Sequence, residues 1–310
     1  MIYTVTLNPA IDYVVGLDTM NLGAVNRCCR ETIEFGGKGI NVSRVLHSLG
    51  IETTALGFVA GFTGQALEQG LQKMGLTTRF IPVSEGMTRI NLKIHAGLET
   101  QINGIGPAIS PDELDRLMAQ LQTIGAGDTV VLSGSAPKCL PVDIYAQLMD
   151  HLPVGARTVV DTTGECLRWA LSRNPWLVKP NLSELEEFFG ISMITRDNVL
   201  FSARKMQEIG VKNVLVSMGA EGAMLLDEYG TAHWAAAPKG EAVNSVGAGD
   251  SMVAGFLASV TEGENYGLAL RMGIAAGSAT AFQTGLAKKT EILELLAGME
   301  TDKREILPKT

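Results

Sequence analysis

Asp250 sits in the segment Asn244-Ser-Val-Gly-Ala-Gly-Asp250-Ser, just ahead of Met252, Val253, Phe256, Leu257 and Val260 at helical spacing. Gly247, Ala248 and Gly249 therefore open a helix. The N–H groups of such a first turn have no intrahelical acceptor, and the helix dipole adds positive potential, so the site suits the charge that builds on a transferring phosphoryl group. A carboxylate there can take a proton from an attacking hydroxyl. Taken alone, Asp250 can equally be a cap on a buried helix.

Three more segments join glycine or a strand end to polar side chains. Gly36-Gly37-Lys38-Gly-Ile-Asn41 runs into the stripe Val42, Val45, Leu46, Leu49 and brings an ammonium and an amide to an approachable backbone. That suits a phosphorylated, hydroxyl-rich ligand, and it also suits a tight turn with a solvated lysine. Lys179-Pro-Asn181-Leu-Ser-Glu184 follows the apolar run Trp176 to Val178, at a strand end where ligands bind in parallel sheets. Asn181 and Glu184 could face one water-ligated Mg²⁺, or could form an N-cap with its capping-box partner. Ser217-Met-Gly219-Ala220-Glu221-Gly222 joins two apolar runs and fits either a nucleotide loop or a plain β-turn. Asp12 and Arg89 are candidates for a sugar-hydroxyl pair and a bidentate phosphate fork, though each alone could be a solvated surface residue.

The elements that must position these residues alternate. Apolar runs at Ile2 to Leu7, Thr54 to Val59, Thr129 to Leu132, Thr158 to Val160, Trp176 to Val178 and Val214 to Val216 are separated by helical patterns. That rhythm predicts a mostly parallel sheet covered on both faces. Ser110 and Glu113 with Pro111 predict a capped helix start ahead of Leu114, Leu117, Met118 and Leu121. Asp12 to Leu17 and Arg89 to Ile105 break the rhythm and predict a small extra sheet. Ile90, Leu92 and Ile94 would form its apolar face, which needs a cover.

The 310 residues are 46% hydrophobic and carry a formal net charge of −8 with no Lys/Arg run, which argues against a nucleic-acid or anionic-membrane surface. Four cysteines without a C-x-x-C pair and four histidines without ligand spacing predict neither structural zinc nor a disulfide framework. No apolar stretch is long enough to span a bilayer, and the N-terminus lacks a leader-like pattern, so the expected location is cytoplasmic. There is no Walker A loop and no full dinucleotide fingerprint. The expected organisation is a single domain over 1–310.

These segments in this order resemble the PfkB or ribokinase-like carbohydrate kinase family, from Thr6-Leu-Asn-Pro-Ala-Ile-Asp12 to beyond Ser251. The resemblance implies a three-layer α/β/α sandwich with a β lid, here contributed by about 12–34 and 86–106. It implies Asp250 as catalytic base, Gly247 to Gly249 as anion hole, and Glu184 acting through Mg²⁺. Lys179, Asn181 and Ser217 to Gly222 match the family's ATP side, whereas Asp12, Gly37, Lys38, Asn41 and Arg89 match its substrate side. Thr88-Arg89-Ile-Asn-Leu-Lys93 resembles members whose substrate is already phosphorylated. The expected reaction is thus ATP-dependent phosphorylation of a ketohexose monophosphate, with fructose 1-phosphate first and tagatose 6-phosphate as alternative; a sensor that lost catalysis is the rival class. A homodimer through the lid is expected. The helix containing Gly273, Ala275, Ala276 and Gly277 is expected to pack close to the adenine, with no residue there assigned to it. Asn244-Ser245 departs from the Asp-Thr common at the monovalent-cation site of some relatives.

Overall fold

A computed structural model describes residues 1–263 and 265–299, so the end of the expected 1–310 domain lies outside the described residues. In chain order the strands are β1 (Ile2–Thr6), β2 (Ala10–Gly16), β3 (Arg30–Gly36), β4 (Thr53–Ala60), β5 (Thr77–Thr78), β6 (Ile81–Val83) and β7 (Arg89–Ala96). They continue with β8 (Leu98–Asn103), β9 (Thr129–Ser133), β10 (Arg157–Asp161), β11 (Leu177–Val178), β12 (Asn213–Ser217), β13 (Ala223–Leu226) and β14 (Ala232–Ala235). The helices are α1 (Lys38–Leu49), α2 (Gly61–Lys73), α3 (Pro111–Leu121), α4 (Ile144–Asp150), α5 (Gly164–Leu171), α6 (Leu182–Phe189), α7 (Arg196–Ile209), α8 (Ala248–Glu262), α9 (Tyr266–Ala281) and α10 (Lys289–Gly298).

The large sheet runs β14-β13-β12-β11-β10-β9-β1-β4-β5, with β6 beside β4. It is parallel from β5 to β12, and β13 and β14 add an antiparallel edge. Successive residues of its central strands enter different cores. Val130, Val160 and Val178 pack with Leu117, Leu148 and Val199 of α3, α4 and α7, while Val131, Val159 and Leu177 pack with Val45, Phe256 and Ile274 of α1, α8 and α9. Both faces are therefore dry, which is why these strands read as unbroken apolar runs. The expected sandwich is present, and α3 opens with the expected Ser110–Glu113 capping box.

The helices α8 and α9 meet along small residues. A methyl group on Gly255 would lie 2.5 Å from the Met272 carbonyl oxygen, and one on Gly277 would lie 3.0 Å from the Ala248 carbonyl oxygen. Gly273, Ala275, Ala276 and Gly277 are all buried. Small side chains there let α9 press on the helix that begins at Asp250.

The small sheet has the order β3-β2-β7-β8. Its outer strand β3 was not legible as a strand, because Arg30, Glu31 and Thr32 give it no clean alternation. The register places Ile33, Tyr13, Leu92 and Ile102 in one row across all four strands, and Glu34, Asp12, Asn91 and Asn103 in the row on the opposite face. The expected apolar face is only partly open: Ile94 is buried and Leu92 half-buried, whereas Ile90, Ile33 and Ile102 are exposed. Its root is anchored, since Ile11 and Phe35 pack against Ile40, Leu67 and Leu71 of α1 and α2.

Candidate active site

The cleft forms where β10, β11 and β12 end and α1, α6 and α8 begin, with the polar face of the small sheet as its other wall. It has a volume of about 420 Å³ and is lined by Asp12, Gly37, Lys38, Asn41, Arg89, Asp161, Lys179, Asn181, Glu184, Ser217, Gly247, Gly249 and Asp250, among others. Most residues singled out from the sequence thus meet in one place, although they come from all parts of the chain.

Gly247 holds φ +80° as the residue before α8, a left-handed conformation that a side chain would strain, and no side chain caps the helix. The first i to i−4 bond runs from the Ser251 amide to the Gly247 carbonyl, so the Gly249 and Asp250 amides precede the helical ladder. The Asp250 carboxylate is buried, and its Oδ2 accepts from Asn41 Nδ2 at 2.8 Å. Burial, and then the negative charge of Asp161, push its pKa up; Asn41, Lys38 and Lys179 oppose the rise, leaving it at about 6. A carboxylate so tuned is ionised near neutrality and basic enough to take a proton.

Asp161 escaped the sequence reading. It ends β10 with 2% exposure, and its Oδ1 accepts Lys38 Nζ at 3.2 Å and lies 3.6 Å from Lys179 Nζ. The signal was a polar residue closing an apolar run at the carboxyl edge of a parallel sheet. Burial works against the Lys38 charge, but Asp161 and then Asp250 outweigh it and raise its pKa. A methyl group on Gly249 would come within 3.1 Å of Lys179 Nζ, so glycine there lets the ammonium approach the start of α8.

Asn181 and Glu184 do form the capping box of α6: Glu184 N donates to Asn181 Oδ1 at 2.8 Å, and Asn181 N donates to Glu184 Oε2 at 2.9 Å. Both also line the cleft. Of the 217–222 loop only Ser217 does; Gly219, Ala220 and Glu221 form an exposed 3-10 turn, and Gly222 closes it. Ala248 is likewise not part of the lining.

On the small sheet Arg89 Nε donates to the Asn8 carbonyl at 3.1 Å, which leaves its two terminal nitrogens without a protein partner among the described residues. Burial lowers its pKa and Asp12 opposes this. Asp12 accepts from Asn91 Nδ2 at 2.8 Å and from Lys93 Nζ at 2.7 Å. Lys38, Gly37 and Arg89 also border an adjoining cavity of about 390 Å³ whose other walls include Ser133, Gly134, Ser135 and Thr162. Those hydroxyls were not singled out in the sequence, since none lies in a glycine-rich segment.

A dinucleotide fingerprint is missing, yet a buried carboxylate lies at the mouth of a glycine-opened helix with two lysines beside it, on a three-layer parallel sheet. That combination defines a phosphotransferase of the P-loop-free kind. The chain matches the pfkB family carbohydrate kinase description over residues 4–293 and belongs to that family. It is 43% identical over 297 residues to the 1-phosphofructokinase of Bacillus subtilis (strain 168), covering 96% of this chain and 97% of that one. It is 36% identical over 294 residues to the D-tagatose-1-phosphate kinase of Bacillus licheniformis, covering 94% and 96%. Among solved structures it resembles phosphofructokinase-2 from Escherichia coli in complex with substrates and products, with TM-score 0.90, 31% identity, and coverage of 96% and 99%. That enzyme has also been solved in a tetrameric inhibited form.

Proposed function

We propose that the chain transfers the γ-phosphoryl group of ATP directly to the free primary hydroxyl of a ketohexose monophosphate, with fructose 1-phosphate as acceptor and fructose 1,6-bisphosphate as product. The observation that carries this reading is the single cleft in which Asp250, the open amides of α8, Lys38 and Lys179 lie together with Arg89 of the small sheet. Asp250 takes the acceptor's proton as its oxygen attacks phosphorus. The Gly247–Gly249 turn, with Ala248 between, receives the charge on the transferring group, and no phosphoenzyme forms. Asp12, Gly37, Lys38, Asn41 and Arg89 hold the acceptor, Asp12 through hydroxyls and Arg89 through the existing phosphate. Lys179, Asn181, Ser217 and the turn Gly219-Ala220-Glu221-Gly222 lie on the nucleotide side.

A kinetic panel of fructose 1-phosphate, tagatose 1-phosphate, tagatose 6-phosphate, fructose 6-phosphate and fructose tests this reading through the ratios of kcat/KM. Fructose 1-phosphate should lead. The similarity to a D-tagatose-1-phosphate kinase favours a tagatose monophosphate as the second reading. Turnover of none of the five would leave a sugar-phosphate sensor, against which the retained Asp250 and Glu184 speak.

Glu184 fits Mg²⁺ in a limited way. Its Oε2 is used by the capping box, its Oε1 has no partner among the described residues, and no cluster of three or more potential ligands exists among them. One free carboxylate oxygen suits an ion that keeps its waters and binds mainly to substrate phosphates. When bound, the ion supplies charge neutralisation of the phosphates, and Glu184 would hold it through water. Glu184→Gln keeps the capping acceptor, so α6 and the melting temperature should be unchanged. The Mg²⁺ concentration for half-maximal rate should rise by about tenfold or more, the usual cost of losing an outer-shell partner. Parent-like Mg²⁺ dependence would reduce Glu184 to its capping role.

The small sheet is proposed as a lid, from about 12–34 and 86–106, that excludes water from the bound phosphates. Its exposed row of Ile33 and Ile102, with Ile90 beside it, supports a homodimer in which two lids cover each other. Sedimentation at falling concentration should show a dimer, and Ile33→Lys/Ile102→Lys should give monomers; a fully active, concentration-independent monomer contradicts the proposal. Among the described residues no helix is long and apolar enough to cross a membrane. A cytoplasmic location is the proposed one.

A further inference from the structure

Asp12 occupies an electrostatically awkward position. The register sets it directly opposite Glu34, so two carboxylates face each other on the same side of the small sheet. The cleft beyond holds three more carboxylates, Asp161, Glu184 and Asp250, against the three cations Lys38, Arg89 and Lys179. Counting Asp12, the lining carries four negative groups and three positive ones before any phosphate enters. Lys93 is the missing fourth cation. It lies two residues beyond Asn91 on β7, on the polar face, buried, with Nζ 2.7 Å from Asp12 Oδ2. Asn91, directly across from Asp12, donates to Oδ1 at 2.8 Å and is itself braced by the Gly104 amide, which donates to Asn91 Oδ1 at 3.2 Å.

Each Asp12 oxygen therefore has one protein donor and retains acceptor capacity. The carboxylate plane is fixed between two donors from one strand, and its charge is cancelled from beneath by a cation that does not line the cleft. We infer that Lys93, sharing Asp12 with Asn91 of the same strand, is the positioning residue that holds the Asp12 carboxylate oriented toward the acceptor's hydroxyls and offsets its charge. This rests on the proposed reading of Asp12 as the hydroxyl acceptor. Without Lys93 the carboxylate faces Glu34 with only the neutral Asn91 as donor on its strand neighbour, and the substrate's phosphate meets a more negative wall. The nucleotide side, built on α6 and β12, is untouched.

Four variants test the inference: Lys93→Met, Lys93→Arg, Asp12→Asn and the pair Asp12→Asn/Lys93→Met, each with kcat, KM for fructose 1-phosphate, KM for ATP and melting temperature. Lys93→Met should raise the sugar-phosphate KM by about 10-fold to 100-fold, the scale of a hydrogen bond to a charged group. ATP KM should stay within about twofold. Lys93→Arg keeps the charge and should give an intermediate KM at parental melting temperature, which serves if Lys93→Met does not accumulate. The pair should bind sugar no worse than Asp12→Asn alone, since Lys93 acts only through Asp12. A Lys93→Met or Lys93→Arg enzyme with parental sugar KM overturns the inference, whatever its melting temperature. If Asp12→Asn raises KM while Lys93→Met does not, the inference alone falls; if Asp12→Asn leaves KM unchanged, the assignment of Asp12 falls with it.

Discussion

Asp250→Asn is expected to lower kcat by about two to four orders of magnitude, the range for a general base, while ATP and sugar phosphate still bind. The amide keeps the shape of the carboxylate and the neighbourhood of Asn41, so the loss falls on chemistry and spares the fold. The pH profile gives an independent check. Burial, and after it Asp161, raise the Asp250 pKa to about 6, and only the ionised form accepts a proton. In the parent, kcat/KM should therefore fall about tenfold per pH unit below that value and level off above it. In Asp250→Asn that acid limb should be missing. Parental turnover, or an acid limb that persists in the variant, would remove Asp250 from the proton transfer.

Arg89→Ala is expected to lower kcat/KM for fructose 1-phosphate by about 30-fold to 1000-fold, matching about 2 to 4 kcal/mol for a charge-assisted bidentate contact shielded from water. Arg89 Nε donates to the Asn8 carbonyl, and its two terminal nitrogens, without a protein partner among the described residues, are the ones proposed to meet the phosphate oxygens. The contact is remote from the reacting hydroxyl, so part of the loss should appear in kcat through poorer alignment. Arg89→Lys should recover only some of it, because an ammonium cannot reproduce the planar fork. ATP hydrolysis without acceptor should barely change. Equal losses for fructose 1-phosphate and free fructose would show that Arg89 supports the small sheet and does not read the phosphate.

The main sheet was legible because its strands are dry on both faces and the helices carry stripes with capping signals. Asp250, Lys38, Asn41 and Arg89 were legible because glycines or an extended alternating segment flag them. What escaped has a common cause. Asp161, Asn91 and Lys93 matter through whom they touch, and their partners lie 123, 79 and 81 residues away in the chain. No local pattern encodes such a pairing. The alternation of β7 was visible, but the sequence could not say that the polar row would be the better buried one, since that depends on which wall of the cleft the sheet joins. Asn181 and Glu184 show the opposite case: the local capping reading was correct, and only tertiary placement brings the same pair to the cleft.

The backbone seam between α8 and α9 has a consequence for how such an enzyme can diverge. A helix held against its neighbour by carbonyl contacts at Gly255 and Gly277 leaves little room for side-chain drift to displace Asp250. Of the groups proposed to hold the acceptor, Asp12 and Arg89, with Lys93 behind Asp12, sit on a separate piece of sheet rooted through a few apolar residues, whereas Lys38 and Asn41 belong to α1. Lineages can then exchange one sugar for another by accumulating changes in that outlying sheet, while the phosphate-transfer machinery is inherited nearly intact. The two halves of the active site can age at different rates.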